Sequence, residues 1–436
     1  VRASGSPAAA VTPALLRGLG RVDVVALTLN NVVGAGIFTL PAALAAGAGS
    51  WSPAVLLVTV ALASAMALCL VEVASRYDVT GGPMVYAGDA FGPLAGFVVG
   101  WLMYLSRLAG FGAIAVVMLD YGAGLWPTLE ATAVRTTVVA LVIGLLAAIN
   151  LRGVVRGALI SNVLTVAKLV PLVLLAVAGL GFWGSKVAPL AAPSSVDELG
   201  GAVLVAFFAC MGFEQAAILS GEARHPRQDL PVGILGGLAG AGVLYTLLMV
   251  ACIRLVPDLA RAPRPLADAA AALVGQRGAT AVAVTAIIAC AGTLSVWMIG
   301  SPRVLYALAA QGDLPGILAA VHPRWRTPAA AIVTSALLVW LLTVSGTFVY
   351  LATFSAVARL LMYASTCAAL PVLRRRDGPA PVSMWFGPGW GVLALLCSAA
   401  ALGTTSGTAV RDVSLAVALG MAGRSTIRYW RQRSLV

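Results

Sequence analysis

The sequence is poor in charge. Only 10% of its 436 residues are Asp, Glu, Lys or Arg, against 60% that are hydrophobic. A domain that folds in water carries roughly 25% charged residues, so most of the outer face of this chain has no aqueous surface to present. Lysine and histidine are scarcer still. Lys168 and Lys186 are the two lysines and neither follows a glycine, which excludes a GK[ST] phosphate loop and hence a P-loop ATPase. His225 and His322 are the two histidines. With no HExxH run, no cluster of metal-ligating residues and no Ser-His-Asp set, the chain lacks what a membrane enzyme needs. No cofactor or metal is expected. Cys69, Cys210, Cys252, Cys290, Cys367 and Cys397 stand apart in apolar runs without a CxxC pair. That is the pattern of buried thiols, not of a disulfide framework or a zinc site. Residues 1–20 lack a central apolar stretch, so they do not read as a cleavable signal peptide.

What the sequence has is long apolar runs, and its mean hydropathy is +0.97. A membrane-crossing helix needs about 20 apolar residues. Runs at 24–46, 53–74, 94–122, 136–150, 158–182, 200–220, 232–256, 279–309, 329–344, 348–371, 389–405 and 413–428 predict about twelve such spans. The net charge of +12 does not point to nucleic acid, because the arginines sit in short clusters between runs. One set of alternate loops holds Arg17, Arg21, Arg76, Arg152, Arg156, Arg224, Arg227, Arg324, Arg326, Arg374, Arg375, Arg376 and the C-terminal arginines. The other holds Lys186, Arg261, Arg264, Arg277 and Arg411. The richer set belongs in the cytoplasm. The chain is thus predicted to be a multi-pass protein of the cell membrane with both termini inside. Residues 266–273, in the loop 257–277, predict a short helix outside the membrane.

Two of the runs contain interruptions. The first carries Asn31-Val-Val-Gly-Ala-Gly-Ile-Phe38 and then Pro41. Each glycine weakens a helix by about 1 kcal/mol relative to alanine. The sixth carries Phe207-Phe-Ala-Cys-Met-Gly-Phe-Glu214, with a charge in apolar surroundings. Non-helical backbone at membrane depth survives only where it is buried or lines a cavity. Interrupted segments at matching places in two halves mark a transport site near the midplane. A half-helix start offers free N–H groups to a carboxylate, and unwound carbonyls suit an ammonium. Two such breaks side by side would receive a zwitterion. Close helix packing is the other account of a lone GxG.

Four stretches, taken in order, carry a family resemblance. Gly34-Ala-Gly-Ile-Phe38 resembles the G-(S/A)-G-I-F signature of the amino acid–polyamine–organocation transporter superfamily. Gly81-Gly82-Pro83, Tyr86 and Phe91-Gly92 resemble its loop after the second span. Gly212-Phe-Glu214, Gly221-Glu222, Pro226, Arg227 and Pro231 resemble its sixth span and the following loop. Ser301-Pro-Arg-Val-Leu-Tyr-Ala-Leu308, Gly312-Asp-Leu-Pro315 and Thr327-Pro328 resemble its eighth span and loop. His225 departs from the pattern, where asparagine is usual. The resemblance implies an all-α membrane fold, with five spans (21–182) and an inverted second five (199–371), as in LeuT-like transporters. A cytoplasmic segment (1–20) would precede them and two further spans (389–430) would follow. It also implies a small amino acid substrate held by the backbone around Val33, Gly34, Ala35, Gly36 and Ile37, and around Phe207, Ala209 and Cys210. Phe208 would lie as a lid over it, and the outer half of span ten, from Tyr350 to Phe354, would form the outer gate.

An ionisable residue within a span is costly, and so it points to function. A buried lysine amine can load and release a proton near neutral pH. In proton-coupled members of the superfamily a lysine stands at this place in span five. Lys168 is therefore expected to couple protons, touching span one near Gly34 and span eight near Ser295. A permanently charged pin on unwound carbonyls is the structural alternative. Arg107 in span three could meet a substrate side-chain carboxylate, pair with Glu214 or help to gate. An internal ion pair is the plainer account. Arg359 in span ten has the same possible roles as Arg107, with a place in a cytoplasmic-side vestibule as the alternative. Glu214 is expected in a hydrogen-bonding or pH-sensing place beside the second break, and Glu72 and Arg303 at structural positions. The expected activity is proton-coupled amino acid uptake by alternating access. An exchanger or polyamine carrier of the same fold is the second expectation, and a non-transporting membrane sensor the third. No nucleic-acid partner is expected, and the sequence is silent on oligomeric state.

Overall fold

The computed structural model describes residues 20–77, 82–152, 157–181, 192–193, 195–214, 225–384, 387–403 and 407–433. Gly81, Gly221, Glu222, Lys186, Arg17, Arg156, Arg224 and the second half of the expected sixth run (215–220) lie outside them. The described residues are helical, without strands. This is what the bilayer demands, because in lipid every backbone polar group must be satisfied within the chain. Six helical stretches are long and apolar enough to cross a membrane: Leu40–Ala74, Pro93–Ala123, Thr132–Leu151, Gln228–Leu255, Gln276–Ala310 and Phe348–Asp377. Shorter apolar helices include Lys168–Gly181, Ala329–Ser345 and Gly389–Ala400.

The first run is broken, as its glycines predict. Helix α1 (Arg21–Val32) ends at Val33, a short 3-10 turn covers Ala35–Phe38, and α2 (Leu40–Ala48) resumes with Pro41 in its first turn. After α3 (Ser52–Ala74) comes α4 (Pro83–Phe91), then α5 (Pro93–Ala123). Helix α5 is the central post. Its face from Phe97 to Tyr121 is almost wholly buried, and it packs against two later helices. Helices α6 (Thr132–Leu151) and α7 (Gly157–Gly181) follow. Helix α8 (Val196–Cys210) is capped by Ser195, whose hydroxyl accepts from the Glu198 amide at 3.2 Å. It stops at Met211 and Gly212, so the second break is present as well.

The later helices are α9 (Pro226–Leu255), α10 (Pro265–Val274), α11 (Gln276–Ala310), α12 (Ala329–Ser345), α13 (Phe348–Asp377), α14 (Gly387–Gly403) and α15 (Gly407–Arg433). Helix α10 matches the short helix expected in the loop, and it buries Leu266, Ala267, Ala269 and Ala270. Helix α1 packs mainly on α9, and α5 on α13 and α11; the first break lies against α5, while α8 packs on α2, α3 and α13. At one end of the bundle, arginine–carboxylate pairs join elements far apart in sequence. Arg374 holds Glu72 through Nε and NH2, and Arg424 and Arg428 share Asp313 at 2.8 Å each. The expected structural place of Arg303 is seen in its 2.7 Å bond to Asn150 Oδ1.

Candidate functional site

The two breaks touch. Gly212 has φ +118°, a conformation that costs a side chain dearly. A Cβ at Gly212 would stand 2.6 Å from the Asn31 carbonyl oxygen. On the other side Gly36 lies against Ala209, where a Cβ would meet the Ala209 Cα at 3.5 Å. One hydroxyl ties both breaks. Tyr245 on α9 donates towards the Val32 carbonyl at 2.7 Å and the Ala209 carbonyl at 3.1 Å. Both carbonyls lie at the ends of their helices. Val32 also accepts the Gly34 amide at 2.6 Å, and the tyrosine adds a second donor there while supplying one to Ala209. Tyr121 on α5 serves the Phe38 carbonyl likewise, at 2.7 Å.

Between the breaks lies a cavity of about 20 Å³. It is lined by Asn31, Val32, Gly34, Ala35 and Gly36 of the first break and by Phe208, Ala209 and Met211 of the second. Ile114, Thr293, Trp297 and Arg359 complete it. This volume holds about one water, so the conformation is closed. Of the residues expected to bind, Gly34, Ala35, Gly36, Phe208 and Ala209 line this space, whereas Val33, Ile37, Phe207, Cys210 and Arg107 do not. Val33 and Ile37 are fully buried in the packing behind it. The lid position of Phe208 has a ring partner, but it is Phe348, edge-on at 6.2 Å. Phe354 packs on Tyr350 at 6.4 Å instead and is not part of the cavity wall.

A larger cavity of about 400 Å³ opens between α5, α6 and the turn from α12 to α13. There Arg135 pairs with Asp120 at 2.6 Å. It contains no residue of either break, so the smaller space is the candidate site on chemical grounds.

The charged groups are placed differently from expectation in three respects. Lys168 donates to a carbonyl of α1, but at Asn30 (2.7 Å), one turn before Gly34. The Ser295 hydroxyl does not receive it and bonds the Ala291 carbonyl of its own helix at 2.7 Å. Glu214 pairs with Arg359 at 2.7 Å, not with Arg107. Its other oxygen accepts the Tyr363 hydroxyl at 2.6 Å and the Gly212 amide at 3.0 Å. Glu214 therefore caps the second break and fastens it to α13. Arg359 is no vestibule residue: it is 3% exposed, lies over the Trp297 ring at 5.2 Å and forms part of the cavity wall. Arg107 is 7% exposed and its guanidinium lies against Gly300.

Sequence reasoning missed Tyr245, Trp297, Phe348 and Tyr363, because an aromatic residue in an apolar run looks the same whether it faces lipid or a site. Among the described residues no group of three or more His, Cys, Asp or Glu side chains could hold a metal ion.

The comparisons with known proteins agree with this architecture. The profile of the amino acid permease family matches residues 19–419. A transporter of Mycobacterium tuberculosis is 32% identical over 324 residues, which are 72% of this chain and 70% of its own. The serine/threonine exchanger SteT of Bacillus subtilis is 27% identical over 429 residues, 94% of this chain and 95% of its own. The methylthioribose transporter of the same organism is 29% identical over 341 residues, 72% of each chain.

Proposed function

Because the chain belongs to the amino acid permease family, within the amino acid–polyamine–organocation superfamily, and is a multi-pass membrane transporter, we propose that it carries small amino acids across the cell membrane by alternating access. The observation that carries this reading is the contact of two unwound segments across one small cavity. The first amides of the Ala35–Phe38 turn suit the substrate carboxylate, and the carbonyls at the end of α8 suit its ammonium. Backbone recognition of this kind reads the part that all amino acids share. Phe208 closes the site from outside, held by Phe348. Phe354 moves with the outer half of α13.

In this reading the chain crosses the membrane about twelve times, with five spans in residues 21–182, an inverted five in 199–371 and two more in 389–430. Both termini are cytoplasmic. The arginine-rich loops support that orientation.

Lys168 couples the cycle to protons. Its amine donates to the Asn30 carbonyl, just before the first break. Loss of the proton exchanges an ammonium on that carbonyl for a neutral amine, and this loosens α1 against α7. Glu214, which holds the second break to α13, takes part in the same transition. Uptake into proteoliposomes with and without an inward proton gradient tests this. Lys168→Ala is expected to abolish gradient-driven accumulation while substrate still shifts the melting temperature. A double variant His225→Gln, His322→Gln serves as control for the two histidines. Unchanged acid-stimulated uptake in Lys168→Ala would refute the coupling role. Exchange is the second reading, favoured by the match to a serine/threonine exchanger along 94% of the chain. It predicts transport that is indifferent to the gradient and dependent on internal substrate.

A further inference from the structure

Around the cavity the described side chains include three bases and one acid. Lys168, Arg107 and Arg359 are 5%, 7% and 3% exposed, and Glu214 is 4% exposed. The other buried carboxylates among the described residues lie outside the cavity wall and are already committed: Glu72 to Arg374, Asp229 to Arg21, and Asp313 to Arg424 and Arg428. Glu214 is committed too, with three donors on its two oxygens. An uncompensated charge in an apolar interior is strongly unfavourable, so the excess of positive charge here calls for an anionic partner.

Two donors are open to that partner. Arg359 gives one guanidinium nitrogen to Glu214, but its Nε–H is buried with no acceptor, and the side chain forms part of the cavity wall. Arg107 has no hydrogen bond or close ion pair with any described residue, and it shares the field of Glu214 with Arg359, which holds that carboxylate directly. It stands on the face of α5 that carries Gly110 and Ile114, at the helical spacings of three and seven. Gly110 lies against Trp297, and Ile114 lines the cavity. Gly300 makes room for the guanidinium: a Cβ there would stand 2.4 Å from the Arg107 NH1. Arg359 thus lies in the cavity wall, beside the second break through Glu214, and Arg107 lies about two turns along α5 from Ile114, which lines the same cavity.

We propose that the substrate is an acidic amino acid, whose side-chain carboxylate is received by Arg359 and Arg107 as the cavity widens around it. This rests on reading the cavity as an amino acid site and adds the substrate class. A dicarboxylic amino acid supplies the negative charge that the chain itself leaves out. The corresponding amide has the same size but no charge, so it would leave the guanidinium groups uncompensated.

The test uses the full-length protein in liposomes, with labelled L-glutamate, L-aspartate, L-glutamine, L-asparagine, L-serine and L-threonine, and thermal shift with the same six. Glutamate or aspartate is expected to be taken up at least about tenfold better than its amide. In Arg107→Gln that ratio is expected to fall towards one. Arg107→Lys, which keeps the charge but loses the planar fork, is expected to fall between. A preference of the native protein for the amides or for serine and threonine overturns the acidic assignment and leaves the amino acid reading standing. The same is true of an acid-to-amide ratio unmoved by either variant. If none of the six is carried or shifts the melting temperature, the amino acid reading itself falls. The native protein's ratio decides the matter even if both variants fail to fold.

Discussion

Gly212 shows how much a single residue can hold. Its φ of +118° is open to glycine and strained for any L side chain. A methyl group there would also press on the Asn31 carbonyl at 2.6 Å. Gly212→Ala therefore meets two penalties at once. Strain of this kind costs about 2 kcal/mol, and the clash would push the second break off the first. The expected outcome is a lower melting temperature in detergent together with a loss of substrate-induced stabilisation. A variant that melts and binds like the native protein would mean that the breaks do not need this contact. The glycine could be picked out from sequence because it stands in an apolar run two places before a charge. Its partner could not, since which carbonyl it faces depends on how two helices distant in sequence are rotated. The same holds for Glu214. The sequence marks it as functional, but two arginines, Arg107 and Arg359, are equally eligible as its counter-charge, and only the packing of α13 against α8 selects Arg359.

At the scale of elements, the structure is a set of helices whose ends must be satisfied without water. Tyr245 is the clearest case. It sits in the middle of α9, yet its hydroxyl serves the last carbonyls of two other helices, α1 and α8. Tyr245→Phe leaves the ring in place and removes one donor shared by two buried acceptors. Val32 keeps the Gly34 amide, but the Ala209 carbonyl loses its donor, and a buried polar group left without a partner costs about 1–3 kcal/mol. The variant is expected to melt lower and to bind substrate more weakly in a thermal-shift titration. An unchanged midpoint with unchanged affinity would show that the two breaks hold together by packing alone. Helix positions themselves were legible, because apolar runs between arginine clusters leave little choice. The expected run 136–150 is helix Thr132–Leu151, and 329–344 is Ala329–Ser345. The interruption at Gly34 was legible for the same reason, since glycines and a proline crowd one turn. The small size of the cavity was not, because it follows from how distant elements pack, as where the Phe208 ring meets Phe348, and nothing local in the sequence encodes such a contact.

For the molecule as a whole, charge sets the orientation. The arginine-rich end of the bundle is tied by ion pairs that link early helices to late ones. Arg376 joins Asp89 of α4 at 2.8 Å and its own neighbour Asp377 at 2.8 Å. The hydrogen bonds from Arg376 and then Tyr77 hold the Asp89 carboxyl below the usual carboxylate range. A carboxylate lowered in this way keeps its pairing above the ordinary aspartate range and loses it only as the pH falls through the lowered value. These pairs therefore stay intact between about pH 5 and 8, and a response of uptake in that window has to arise elsewhere, as proposed for Lys168. The same end of the molecule must face the cytoplasm if arginine distribution governs insertion. Single cysteines can decide this, because five of the six native cysteines, Cys69, Cys210, Cys252, Cys290 and Cys367, are buried and the parent chain gives the blank for all six, Cys397 included. Arg375, in the last turn of α13, and Arg261, in the short turn Leu259–Arg261, are both exposed and are predicted on opposite sides of the membrane. A membrane-impermeant maleimide is expected to label Arg261→Cys in intact cells and Arg375→Cys only after permeabilisation. The reverse pattern would invert the protein in the membrane and put Phe208 and Phe348 on the cytoplasmic side of the cavity. The closed gate described above would then be an inner one, and the direction of proton coupling through Lys168 would have to be reassigned.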